Sequence, residues 1–349
     1  MKPVKQFTNS AENFFKDSNT IKMLIVFFTI FAIMGSLNPT MFFSVQNWRA
    51  IAFQIPELGF FALAMMFVII SGGIDLSVVS IANLSGITAA LILREAVVRD
   101  MTGLSLYMVI LLVFFMSLVL GTLAGAFNGL IVARFKVSPI LATLGTMNLF
   151  AGIGIIITRG QAISGFPVQF LEIGNGVVFG IPIYLLAFLV MVVISYVLLN
   201  KTKYGFDLKF YGSNPRASLF AGISNYRVAL QTYMLSGIIS AIVGLGFIAR
   251  TNSANADYGA AYIFASILCV ILGGINPNGG YGRLSGVLLS LFSLQLLSSG
   301  FNMLRLPGSA KELAWGILLL AVMAVNTIIE RRRLNKKSKV ICDGGSLNG

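Results

Sequence analysis

Ile70-Ser71-Gly72-Gly73-Ile74-Asp75-Leu76-Ser77 is a polar, glycine-rich break between two runs of hydrocarbon. A second copy, Ile271-Leu272-Gly273-Gly274-Ile275-Asn276-Pro277, also follows an uncharged run. Both are followed by the same tripeptide, Leu84-Ser85-Gly86 and Leu284-Ser285-Gly286. The offset is 201 residues between Gly72 and Gly273, and 200 between Leu84 and Leu284. Within a bilayer, backbone leaves the helix only where protein or a water-filled cavity satisfies its N–H and C=O groups. Repeated broken segments therefore point to a transport path.

The surrounding composition sets the class. Hydrophobic residues make up 57% of the 349 and charged residues 11%, with a mean hydropathy of +0.88. That is far from a soluble-domain balance. Ten spans are expected, at Ile21–Leu37, Leu58–Ser71, Val78–Leu93, Leu104–Val132, Pro139–Ile157, Ile181–Leu199, Val228–Ala249, Tyr258–Leu272, Arg283–Leu297 and Leu313–Ile329. The second and eighth are short, and their starts can lie earlier than the charge pattern indicates. The fold class is all-α and polytopic, with about ten transmembrane helices, an internal repeat and broken helices. The expected organisation is a cytoplasmic segment 1–20, one membrane domain 21–329 holding a cytoplasmic loop 200–227, and a basic cytoplasmic tail 330–349. The apolar run from Met23 lies behind a polar leader and is too long for a signal-peptide core.

Basic residues orient the chain. With both termini inside, 18 of the 25 Lys and Arg fall in inner segments and seven in outer ones, as the positive-inside rule requires. The net charge of +13 is then explained without nucleic acid. In this orientation the two breaks follow spans of the same direction, so the repeat is parallel; an error of one span would invert it. There is no His, which removes His-based acid–base chemistry and most zinc sites. Cys269 and Cys342 make neither a disulfide framework nor a metal site. No P-loop motif occurs, so ATP, if used, is hydrolysed by another polypeptide. With no nucleophile–base pair in view, the chain reads as a transport subunit and not an enzyme.

Asp75 is the only charged residue between Leu58 and Leu93. It has two readings, as an N-cap for the helix near Val78 or as part of the path or gate. Ser77 is an alternative cap, and Asn276 is the matching residue in the second copy. In the inner loop, Ser213 or Asn214 can cap a short helix starting at Pro215, with Ala217, Leu219, Phe220 and Ala221 as its body and Gly222 ending it. Such a helix docks into a soluble partner or lies on headgroups. Gly121, Ala124, Gly125 and Gly129 allow close helix packing. Among polar residues in apolar runs, Asn83, Asn128, Asn148, Gln231 and Asn302 can bind solute hydroxyls or join helices; Asn83, Asn148 and Asn302 are the path candidates.

Four stretches carry a family resemblance. Gly72-Gly73-Ile74-Asp75-Leu76-Ser77 resembles the hallmark of ribose-type permeases of ATP-binding-cassette importers. Gly212-Ser213-Asn214-Pro215-Arg216-Ala217, with Ala221-Gly222-Ile223 behind it, resembles their inner-loop motif. Leu272-Gly273-Gly274 through Gly279-Gly280-Tyr281-Gly282-Arg283-Leu284-Ser285-Gly286 resembles their second glycine signature, and Ser299-Gly300-Phe301-Asn302-Met303-Leu304 their closing motif. The resemblance extends from Leu58 to Asn326, in the family's order. It implies an all-helical permease half of about ten spans in a bacterial inner membrane. It also implies a second permease copy or paralogue, two cytoplasmic ATPase subunits that hold ATP and Mg, and an external solute-binding protein delivering a monosaccharide or similar solute. Gly212, Asn214, Pro215, Arg216, Ala217 and Gly222 would couple to the ATPase. Gly72, Gly73, Asp75, Ser77, Gly273, Gly274 and Asn276 would form the breaks or path. This sequence departs from the pattern at Val79, at Ser218 and at the insert Asn276-Pro277-Asn278, and drifted lineages carry autoinducer-type furanoses or nucleosides. The rival expectations are an ion-coupled secondary transporter and a non-transport scaffold.

Overall fold

The computed structural model describes residues 18–324, with side chains from Met23 onward. The basic tail 330–349, most of the 1–20 segment and the end of the tenth expected span lie outside the described residues. The helices are α1 (Ser18–Leu37), α2 (Pro39–Phe42), α3 (Val45–Ile70), α4 (Val78–Val98), α5 (Gly103–Arg134), α6 (Pro139–Thr158), α7 (Val168–Asn175), α8 (Ile183–Lys201), α9 (Lys203–Ser213), α10 (Pro215–Phe220), α11 (Asn225–Thr251), α12 (Ala261–Leu272) and α13 (Leu284–Met303). A further helix, α14, covers 308–324.

Seven of these, α3, α4, α5, α6, α8, α11 and α13, are long and apolar enough to cross a bilayer. The chain is thus a polytopic helical membrane protein. Four spans differ most from expectation: the second, third, eighth and ninth, the last running on to Met303 rather than Leu297. The second span begins at Val45, not Leu58, where the Ser44 hydroxyl caps the Asn47 N–H at 3.2 Å. The third runs on to Val98. The eighth shrinks to α12, 12 residues or about 18 Å at 1.5 Å per residue, which is short of the ~30 Å hydrocarbon.

Helix α3 is the axle of the fold. Its second half, from Leu58 to Ile70, is apolar all round, and 89% of its spanning window is buried, against 22% for α5 and α8. Its neighbours are α8, α11, α12 and α13. The peripheral helices turn Phe115, Leu123, Leu141, Val190 and Val193 outward, as lipid-facing surfaces do. Helix α5 packs on α11 through glycine. A Cβ on Gly121 would lie 2.4 Å from Gly237 O, and one on Gly125 would lie 2.1 Å from Tyr233 O. The small-residue cluster of α5 therefore serves packing inside this chain. The composition did not reveal two small ladders, β1 (Ile163–Ser164) with β4 (Ser253–Ala254), and β2 (Val177–Val178) with β3 (Ile181–Pro182).

Candidate functional site at the glycine breaks

Both breaks are helix ends closed in the same way. At the first, Gly72 takes φ +87°. Its N–H reaches Ile69 O at 2.9 Å, and the Gly73 N–H reaches Val68 O at 3.1 Å. At the second, Gly274 takes φ +83°, with Gly274 N–H to Ile271 O at 3.0 Å and Ile275 N–H to Val270 O at 3.2 Å. This is the Schellman pattern, in which a residue without a Cβ adopts the left-handed conformation. The equivalent positions are Gly72 and Gly274, so the helix ends match at an offset one residue larger than the sequence alignment of Gly-Gly-Ile. The following segments diverge. Helix α4 starts at Val78, three residues after Asp75, whereas α13 starts at Leu284, eight after Asn276. Leu84 therefore lies well inside α4, and Leu284 opens α13.

The first break is held by three neighbouring helices, one through its backbone and two through its side chains. Thr143 Oγ1 of α6 accepts from the Leu76 N–H and donates toward Ile74 O, both at 3.1 Å. Asp75 Oδ1 accepts from the Ser77 N–H at 3.0 Å and the Ser77 hydroxyl at 2.6 Å, and Oδ2 accepts from Ser236 of α11 at 2.8 Å. Asn128 of α5 donates to Ser77 Oγ at 2.7 Å. Asp75, Ser77, Asn128, Thr143 and Ser236 are all buried. Ser77 occupies the N-cap position, but its side chain caps nothing; Asp75 supplies the oxygen that holds the turn. Asn276 makes the same Asx turn, accepting the Asn278 N–H at 3.0 Å. It does not cap α13, because the inserted residues 276–283 separate them; Arg283 is the N-cap position there, without a side-chain cap.

The inner loop meets both breaks at one point. A Cβ on Gly212, near the end of α9, would lie 1.9 Å from Ile70 O and 2.7 Å from Gly280 N. Ile70 O itself accepts the Gly280 N–H at 2.9 Å. A Cβ on Gly279 would lie 2.8 Å from Gly212 O and from Gly72 Cα. Three remote segments therefore touch main chain to main chain, at a spacing only glycine permits. Pro139 and the Tyr233 hydroxyl press on Gly73 from the other side.

Directly after this contact comes α10. The Asn214 side chain accepts from the Arg216 and Ala217 N–H groups, both at 3.0 Å, and Pro215 fills the first position. Gly222 ends the turn at φ +78°. Ser218, one of the family departures, donates to Asn225 Oδ1 at 2.5 Å and so ties α10 to the start of α11. The helix presents Leu219 and a 94% exposed Phe220, with Phe206 of α9 also exposed. Lys209 Nζ caps the end of α8 at Leu199 O, 3.0 Å away, and burial pushes its pKa down.

The three asparagine candidates occupy different places. Asn83 donates to Ala256 O at 2.7 Å and Tyr258 O at 2.8 Å, pinning the non-helical stretch before α12. Asn302 lines a cleft of about 270 Å³ with Ser44, Asn47, Gln54, Ser299 and Arg305, and Lys311 donates to it. Asn148 stands exposed on α6.

Comparison with known proteins completes the picture. Residues 47–323 match the family described as branched-chain amino acid transport system / permease component. The chain belongs to this permease family. It is 30% identical to the autoinducer 2 import system permease protein LsrD of Escherichia coli K12 over 312 residues, 87% of this chain and 90% of that protein. The same figures hold for LsrD of Shigella flexneri. No solved structure matches.

A second polar cluster in the permease was not found from its sequence. Glu57, buried on α3, accepts from Arg250 Nη1 of α11 at 2.7 Å and from the Tyr262 hydroxyl of α12 at 2.6 Å. Arg250 Nη1 also donates to Phe53 O at 2.7 Å. Glu57 precedes the uncharged stretch from Leu58 to Ile74 and Arg250 follows another, so each reads alone as a span end. Their separation of 193 residues hides the pair.

Proposed function

We propose that this permease is one transmembrane half of an ATP-driven importer of a monosaccharide or similar small polar solute, working by alternating access. The observation that carries the reading is the glycine contact. The segment bearing α10 rests through backbone atoms on the end of α3 and on the Gly279–Gly280 loop that links α12 to α13, so a displacement of α10 presses on both. In this reading ATP and Mg bind on cytoplasmic ATPase subunits that grip the exposed Leu219–Phe220 end of α10. The spans number ten, with α1, α12 and α14 counted, and both termini are cytoplasmic. A solute-binding protein feeds the outer side. The chain holds no ATPase site of its own. The names of its relatives favour an autoinducer-2-type furanose as the first solute to test.

Reconstitution tests this. Proteoliposomes holding the permease, the cognate ATPase and the binding protein should take up solute only with ATP inside the ATPase-facing compartment. Scrambling residues 215–220 should leave insertion intact and abolish ATP-driven uptake. Normal uptake by the scrambled chain, or uptake driven by a sodium or pH gradient without ATPase, would overturn the reading.

A further inference from the structure

We infer that the cleft between the end of α8 and the start of α13 is a binding site for one anionic phospholipid of the inner leaflet. The site rests on the importer reading above only for its orientation, with α10 on the cytoplasmic side. The cleft has a volume of about 580 Å³. A Cβ on Gly59 of α3 would meet Phe188 of α8 at 2.5 Å and Leu291 of α13 at 3.1 Å, so these two helices flank the axle and leave a furrow between them. Val193 lies eight residues before Lys201 at the end of α8, and Leu288 lies four after Leu284 at the start of α13. At 1.5 Å per residue the furrow therefore reaches about 6–12 Å into the hydrocarbon.

The mouth suits a phosphodiester. Lys201 ends α8 and Arg283 stands at the N-cap position of α13, so two cations line one cleft that has no Asp or Glu in its wall. The first N–H groups of α13 receive no side-chain cap, and such groups attract phosphate. The Ser285 hydroxyl lines the same mouth; neither it nor the Lys201 ammonium has a partner among the described residues. Below the mouth the wall turns apolar at Val192, Val193 and Leu288. Tyr196, half exposed between the two zones, stands where aromatic rings meet the headgroup boundary. Cations above an apolar furrow at the cytoplasmic ends of membrane helices hold an anionic headgroup together with its chain. Charge selects the occupant: another cleft, of about 530 Å³ beside Leu84, Phe115 and Phe150, has no charged residue in its wall and would take any acyl chain. The site also adjoins the coupling segment. Thr202 follows Lys201 and caps α9 by accepting the Gly205 N–H at 3.3 Å, and α9 ends at the Gly212 contact.

The test needs neither ATPase nor solute. Full-length permease in detergent micelles is titrated with phosphatidylglycerol, or with phosphatidylcholine of the same chains, and bound lipid is counted by native mass spectrometry. One phosphatidylglycerol should bind, and more tightly than phosphatidylcholine. Lys201→Gln should weaken it about fivefold, and Lys201→Gln with Arg283→Gln about thirtyfold, the effect of one and of two cations at a headgroup. Val193→Trp should block the furrow and weaken binding with both cations in place. Arg134→Gln, which removes an exposed cation at the end of α5, should change nothing, and inorganic phosphate should not displace the lipid. Equal affinity for the two lipids, an unaltered titration for Lys201→Gln or for Val193→Trp, an equal loss in Arg134→Gln, or displacement by phosphate would overturn the site. So would a crosslink from Val193→Cys to a second permease copy in native membrane, in a Cys269→Ala, Cys342→Ser background, which would make the furrow a subunit interface. If the site falls while uptake still depends on ATP and on α10, the importer reading stands. If phosphatidylglycerol binds as described while uptake runs without ATPase, only the importer reading falls.

Discussion

Gly212→Ala is the sharpest test of the coupling geometry. The new methyl would lie 1.9 Å from Ile70 O and 2.7 Å from Gly280 N. Ordinary contact begins at 3.4 Å, so the end of α9 must retreat by about 1.5 Å, or the Ile70–Gly280 pair must open. Overpacking of this kind costs about 1–3 kcal/mol. Losing the Ile70 O to Gly280 N–H bond in a buried place costs about 1–3 kcal/mol more. The contact should thus weaken by about 2–6 kcal/mol. Even the low end shifts a two-state population roughly thirtyfold. The assay is paired. Thermal midpoints in nanodiscs should fall for Gly212→Ala, and ATP-driven uptake should drop by an order of magnitude or more while insertion is normal. Gly316→Ala is the control. It lies in α14 with nothing within 4 Å of its Cβ, and should leave the midpoint unchanged or slightly raised, since Ala is the better helix former. If Gly212→Ala matches the wild type in both midpoint and uptake, the three-segment contact is not a mechanical link.

Other outcomes follow from the same structure. Arg250→Met strands the buried Glu57 carboxylate and should destabilise by about 3–5 kcal/mol; pairing it with Glu57→Gln should restore much of this, giving a non-additive thermal-denaturation cycle. Asp75→Leu leaves the buried Ser77 N–H without its acceptor and loosens Ser236, and should cost at least about 3 kcal/mol. Asp75→Asn keeps one acceptor oxygen and should cost about 1 kcal/mol, so a midpoint ranking with Asn below Leu would contradict the Asx-turn role. Phe220→Asp should leave the midpoint within error, because the ring is 94% exposed, while lowering co-purification of the ATPase and uptake together.

Local chemistry was legible wherever a single residue decides a turn. Asn214 and Pro215 announce the start of α10, Gly222 its end, and the two glycine pairs the ends of α3 and α12, because capping and positive φ are properties of a few neighbouring atoms. Long-range relations were not. Helix α3 begins 13 residues earlier than its charge pattern indicates, because Arg49, Gln54 and Glu57 read as a boundary. In the fold Gln54 accepts from Gln295 at 2.7 Å and Glu57 is paired with Arg250, so polar side chains are carried inside by partners far away in the sequence. The shared tripeptide Leu-Ser-Gly likewise suggested equivalent helix positions, yet the longer second break shifts it by six residues relative to the helix start. The contact among Gly72, Gly212 and Gly279 leaves no periodic signature either, because nothing local forbids a side chain at Gly212; only the approach of two distant loops does.

That contact has one more consequence. Carbonyls and amides carry no rotamers, so nothing at this junction can swivel to absorb a small push. In the proposed coupling, a stroke delivered at α10 passes to the end of α3 and to the Gly279–Gly280 loop through backbone alone, as through a rod without play. Residues 212, 279 and 280 must accordingly drift as a set: a methyl group gained at any one of them lengthens the linkage for all.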